Sequence, residues 1–175
     1  MAPGLELQRR IAEKKAVIGI FGLSQHGLRM AVSYARAGFK VICLDLRDFK
    51  VDMLRRGINF VRDISDSELL ALVKRGLIVA TPDFSLLRTV DYLAICVPSR
   101  EAAAHDAAGA ASDGSPSCDI AAISGIVASN IRPGLIIGID DRAESIPLRS
   151  RMEAALSRTG FRYGFDYLFG TLSPQ

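Results

Sequence analysis

Short apolar runs recur along the chain, and stretches with helical spacing separate them. Residues 17–21 (VIGIF), 41–44 (VICL), 77–80 (LIVA), 92–97 (YLAICV) and 135–139 (LIIGI) are apolar nearly throughout. Strands buried on both faces of a parallel sheet read this way. Between them, residues 28–36 set Leu28, Ala31, Val32 and Ala35 on one stripe, and 48–57 do the same with Val51 and Leu54. Residues 68–74, 119–131 (Ile120, Ile123, Ile126, Val127) and 147–156 carry further helical patterns. Gly38, Gly57 and Gly160 stand where helices should end. A short amphipathic helix over 5–15, with Leu5, Leu7 and Ile11, is expected to cap the sheet edge or pack on a partner. Residues 58–68 read as an exposed loop closing on a cap at Ser65 or Asp66, 81–83 as a turn, and 165–172 as the last strand. Strands arriving singly between helices predict βα units in a three-layer α/β domain with a mostly parallel sheet. The 175 residues suffice for a single domain with one full core.

The most informative stretch is 16–45, AVIGIFGLSQHGLRMAVSYARAGFKVICLD. Strand, glycine turn, helix, strand and acid follow in the order of a Rossmann dinucleotide-binding unit. Gly22, Ser24 and Gly27 fill the three slots of G-x-G-x-x-G, and Asp45 ends the second strand about 20 residues on. Gly22 would permit the tight turn and Gly27 the close approach of helix to strand. The helix N-terminus would present the amides of Gly22, Leu23, Ser24, Gln25, His26 and Gly27 to a pyrophosphate. Asp45 would accept hydrogen bonds from the ribose hydroxyls and repel a 2′-phosphate, which favours NAD over NADP; Arg47 pulls modestly the other way. Ser24 replaces the glycine whose missing side chain lets backbone approach phosphate; its Cβ would crowd the pyrophosphate or its hydroxyl would donate to it, and on steric grounds weakened affinity is expected. The alternative is a packing turn that binds nothing, since a fold does not fix a function.

Composition changes this picture little. The chain is 49% hydrophobic and 23% charged with a net charge of +3, and its basic residues are scattered, far short of a nucleic-acid footprint. Cys43, Cys96 and Cys118 lack metal-ligand spacing, and Cys43 and Cys96 sit in apolar runs as small hydrophobes. No signal peptide or membrane-length run is present, so the expectation is a cytoplasmic protein without membrane contact. His105 beside Asp106 has no third group to orient it, and Asp140-Asp141 reads as a polar strand end. Residues 101–117, EAAAHDAAGAASDGSPS, offer almost nothing large to bury and predict a flexible loop.

The chain resembles the N-terminal NAD-binding domain of the UDP-glucose/GDP-mannose dehydrogenase family, especially the UDP-N-acetyl-hexosamine 6-dehydrogenases. KKAVIGIFGLSQHGLRMA is similar to the family's opening strand and G-L-G-Y-V-G-L-P-L-A turn, and VICLD to its second strand and ribose-binding acid. The run from Arg55 through VPS, including Thr81 and Asp83, then Asp119-Ile120, RPGLII and the closing SP also fit. The resemblance implies NAD as cofactor, with Val97, Pro98 and Ser99 lying against it at a strand end. It also implies oxidation of a nucleotide-sugar C6 alcohol to a carboxylate in two NAD-dependent steps, through a cysteine thiohemiacetal. That family's cysteine, dimerisation helix and sugar-nucleotide domain would lie beyond Gln175, and neither Cys43, Cys96 nor Cys118 matches the cysteine.

The departures from the family pattern fall at the ligand edge. Ser24 stands at the middle glycine, Gln25-His26 replace Tyr-Val, and Arg29 replaces the proline of G-L-P. Ser99-Arg100 replace Thr-Pro, residues 139–147 replace E-S-T-x-x-P-G-T-T, and Gln175 occupies the place of the S-P-E-R glutamate. An amide there cannot act as a general base at neutral pH. The expectation is therefore an NAD-binding domain, natural as a short protein and inactive as an enzyme alone. The rival is a non-catalytic interaction or regulatory protein on a degenerate Rossmann fold, with a protein partner or a second copy as its ligand.

Overall fold

The computed structural model describes residues 3–96, 120–140, 145–164 and 166–172. Its elements, in chain order, are α1 (Pro3–Ala12), β1 (Val17–Phe21), α2 (Gln25–Arg36), β2 (Lys40–Leu44), α3 (Asp48–Arg55), α4 (Asp66–Lys74) and β3 (Ile78–Ala80). A 3-10 helix (Phe84–Thr89) leads into β4 (Tyr92–Ile95), followed by α5 (Ile120–Asn130), β5 (Leu135–Asp140), α6 (Ser145–Arg158) and β6 (Tyr167–Leu172). The sheet order is β3-β2-β1-β4-β5-β6. Every adjacent pair is parallel. This is the doubly wound Rossmann arrangement, whose order reverses between β1 and β4.

Strand residues alternate between two separate cores. Ile18, Ile20, Val41, Cys43, Ala94 and Cys96 face one side, where Leu28, Ala31, Val32 and Ala35 of α2 cover them with Leu69 and Leu72 of α4. Phe21, Ile42, Leu44, Leu93 and Ile95 face the other, with Ile123 and Val127 of α5 and Met152 and Leu156 of α6. Apolar runs without polar alternation are what a sheet covered on both faces demands, and β1, β2 and β4 meet that demand. The predicted stripe of α2 is the one the structure buries.

Helix α2 stops where the glycine permits. Gly38 adopts φ 90°, Phe39 N–H donates to Tyr34 O at 3.1 Å and Gly38 N–H to Ala35 O at 3.0 Å. Those two bonds and the left-handed residue make a Schellman motif, which reverses the chain into β2.

Three elements depart from or add to the expectations. In α1, Leu5 and Ile11 remain exposed and only Leu7 is half-buried, so Leu5 and Ile11 do not cap the sheet edge. Charge holds that helix instead: the Arg10 guanidinium pairs with Asp91 at 2.9 Å. Helix α4 begins at Asp66 with Ser65 as its cap residue, as expected, but the Ser65 hydroxyl shares a hydrogen bond with Ser67 Oγ at 2.8 Å and makes none to a helix N–H. The 3-10 helix over Phe84–Thr89 was not expected from periodicity; Asp83 opens it, its carboxylate accepting from Ser85 N–H at 3.0 Å. The predicted loop at 101–117 lies outside the described residues. Among the described residues, no helix is long and apolar enough to cross a membrane.

Candidate functional site

The turn joining β1 to α2 lies at the carboxyl end of β1, beside the carboxyl end of β4. Open α/β sheets bind ligands at such a reversal of strand order. Gly22 makes the turn with φ 104°, and its N–H donates to Leu44 O at 2.8 Å, tying it to the end of β2. Gly27 closes it from the helix side. A Cβ built on Gly27 would stand 2.1 Å from Gly22 O and 3.2 Å from Cys96 Cβ, so only glycine fits without moving backbone. The two glycines therefore form one contact, strand end against helix start.

Ser24 is the N-cap of α2. Its hydroxyl accepts from Gly27 N–H at 3.1 Å and donates to Cys96 O at 3.0 Å. The hydroxyl thus turns inward and fastens the turn to the end of β4. Leu23 contributes its backbone, since its side chain is fully buried in the core. Gln25 is exposed and His26 half-buried on the first turn of α2. Replacing Ser24 by alanine removes a cap and a buried side-chain donor. It should lower stability by about 1–2 kcal/mol, read from the denaturant midpoint at an unchanged m-value.

Asp45 follows β2 and is 4% exposed. Its Oδ2 accepts from Leu23 N–H at 2.6 Å and Arg47 Nη2 at 3.0 Å, and its Oδ1 from Arg47 N–H and Nε, both at 2.9 Å. Burial pushes the carboxyl pKa up, but the Arg47 guanidinium and the Leu23 and Arg47 N–H groups outweigh it and hold the pKa below its ordinary value. The unfolded pKa is about 3.9. The stabilisation this group supplies is therefore present above that value and lost as pH falls through the lower folded pKa.

Lys50, on α3, was not anticipated. It is 8% exposed, donates from Nζ to Leu23 O at 2.8 Å and stands 5.1 Å from the Phe60 ring centroid. Leu23 is thus held through both of its backbone polar groups: its N–H by Asp45, its carbonyl by Lys50. The helical spacing carried a signal, because Lys50 shares the face of Val51 and Leu54 that the structure buries.

The structure accordingly brings Gly22, Leu23, Ser24, Gln25, His26, Gly27, Asp45 and Arg47 to one edge of the sheet. Val97, Pro98 and Ser99 lie outside the described residues, as do His105, Asp106, Cys118, Asp141 and Gln175. Cys43 and Cys96 are buried, with 0% and 1% exposure, and desolvation pushes the Cys43 thiol pKa far up. Neither is placed to attack a substrate.

No protein-family model and no curated protein matches the chain. Solved structures do. NDP-N-acetyl-D-galactosaminuronic acid dehydrogenase from Methanosarcina mazei Go1 superposes with a TM-score of 0.66 at 20% identity, over 94% of this chain and 36% of that one. UDP-D-ManNAc dehydrogenase from Pyrococcus horikoshii gives 0.65 at 21% identity, over 89% and 35%. GDP-mannose dehydrogenase from Pseudomonas aeruginosa gives 0.63 at 20% identity, over 88% and 35%. The chain spans about a third of the length of each of these proteins. At these identities the likeness establishes the fold: a three-layer α/β Rossmann domain with a parallel sheet.

Proposed function

We propose that the chain is an NAD-binding domain of the nucleotide-sugar dehydrogenase type, unable to oxidise a sugar by itself. The observation that carries this reading is the contact between Gly22 and Gly27 at the β1–β4 reversal, with Asp45 hydrogen-bonded to the same turn. A turn that excludes a Cβ brings a helix N-terminus close to the strand end, where backbone N–H groups and the helix dipole favour a phosphate. The N–H groups of Gly22, Leu23 and Gly27 already donate to Leu44 O, Asp45 and Ser24 Oγ, so in this reading the dipole at the start of α2 draws the pyrophosphate, Asp45 takes the adenosine ribose, and Val97, Pro98 and Ser99 the neighbouring part of the cofactor. NAD would supply hydride acceptance. The chain's own residues would bind and orient it.

Catalysis by the chain alone is disfavoured because Cys43 and Cys96 are buried in the sheet layer, out of reach of a substrate. The reading includes a cytoplasmic setting and a protein partner or second copy completing any reaction. The interaction-protein alternative draws on a different observation. The turn is self-sufficient, with the Ser24 hydroxyl capping α2 and Asp45 satisfied by the protein's own donors.

Calorimetric titration of the purified chain with NAD, NADH and NADPH tests this. Saturable NAD binding, weakened at least about tenfold by Asp45→Ala through loss of charged acceptors, is the expected result. A chain silent at millimolar NAD would overturn the reading for the protein as it stands.

A further inference from the structure

We propose that Arg47 is a latch on the ribose position: its guanidinium occupies, from within the chain, the carboxylate oxygens on which an adenosine ribose would hang. This rests on the dinucleotide-binding reading above and adds to it a residue that sets how well the site is used.

An ionised carboxylate has about four acceptor directions. At Asp45 the Leu23 N–H, the Arg47 N–H, Arg47 Nε and Arg47 Nη2 provide four donors. Two come from backbone and hold the carboxylate in place whatever side chain stands at 47. The other two come from the guanidinium, docked side-on across both oxygens at 2.9 and 3.0 Å. A ribose diol would donate its hydroxyls to those same oxygens. It therefore binds only by displacing the guanidinium from a carboxylate that is 4% exposed. Either partner would donate to an ionised oxygen, but the guanidinium also brings a full positive charge and a two-point planar geometry that a neutral diol lacks. The exchange consequently works against the dinucleotide.

The geometry also permits release. The Arg47 side chain is 27% exposed, so it has solvent into which to swing, and it immediately precedes α3 without capping it through its side chain. Removing it leaves Asp45 fixed by Leu23 and by the residue-47 N–H, with two acceptor directions vacated for the diol. The sequence-based expectation that Arg47 would draw a 2′-phosphate is thereby recast, because here its partner is the acid itself.

The experiment compares the native chain, Arg47→Ala and Arg47→Lys by titration with NAD, with thermal melts confirming that each folds. Arg47→Ala is expected to bind NAD at least about tenfold more tightly, with Arg47→Lys between the two. Separately, the Asp45 carboxyl resonance, followed by 13C NMR without any ligand, should titrate at higher pH in Arg47→Ala. An Asp45 pKa unmoved by the substitution would show that no latch exists. Native binding that is unchanged or weakened in Arg47→Ala would overturn the latch while leaving the dinucleotide-binding reading intact. Silence from all three proteins would overturn that reading and the latch with it. Binding by Arg47→Ala alone would support the latch, and assign the native chain's silence to residue 47.

Discussion

Gly27→Ala is expected to lose about 3 kcal/mol of stability, the upper end of what overpacking costs. Most buried additions are absorbed by rotating a neighbouring side chain. Here the obstacle is backbone, Gly22 O at 2.1 Å and Gly22 C at 3.3 Å, with Cys96 Cβ at 3.2 Å on the other side. Relief requires moving α2 away from β1, which also breaks the Ser24 bond to Cys96 O at 3.0 Å. For a domain of this size 1 kcal/mol shifts Tm by about 2–4 °C, so the melt should fall by roughly 6–12 °C. Gly125→Ala supplies the control, since nothing lies within 4 Å of a Cβ there and the residue is helical. That variant should gain up to about 1 kcal/mol from helix propensity. Equal melts for the two variants would mean that the helix–strand approach is not tight.

The second large effect is expected at Asp91, at the opposite end of β4. It is 3% exposed, accepts from Val17 N–H at 2.8 Å, and pairs with Arg10 at 2.9 Å and with Arg132. Asp91→Ala strips the half-buried Val17 N–H of its acceptor and leaves two cations without their shared anion. Breaking a buried pair from one side costs about 3–5 kcal/mol. The arginines are 32% and 37% exposed, so water recovers part of that and about 3 kcal/mol is expected. Asp91→Asn keeps an acceptor for Val17 and should lose less. Added salt should narrow the gap between wild type and Asp91→Ala, as measured by denaturant melts at low and high ionic strength.

Much of the fold was written in the spacing of apolar residues. Central strands buried on both faces produce uninterrupted runs, and the α2 stripe of Leu28, Ala31, Val32 and Ala35 was legible from its period alone. The glycine turn was legible too, because φ 104° at Gly22 and the absence of room at Gly27 leave few other residues able to stand there. What escaped was polar and buried. A lysine in a helix reads as solvated, yet Lys50 spends its ammonium on the Leu23 carbonyl. Asp91 reads as a polar residue before a strand, and its partners Arg10 and Arg132 are distant in sequence and joined to it only by the finished sheet. The Asp45–Arg47 pair was visible as two residues with opposed pulls on a ligand, whereas in the structure they pull on each other.

The reversal of strand order also has a mechanical side. Strands β1, β2 and β3 form one half of the sheet and β4, β5 and β6 the other, with the Ile18↔Tyr92 to Phe21↔Ile95 ladder as the seam. Asp91 rivets the lower end of that seam to Val17, and Ser24 rivets the upper end to Cys96. Ladder hydrogen bonds alone let neighbouring strands splay or twist; a side-chain bond at each end holds the two halves at one spacing and one angle. A molecule laid across the top of the seam would meet a platform already set, with none of its binding energy diverted to bringing the halves together.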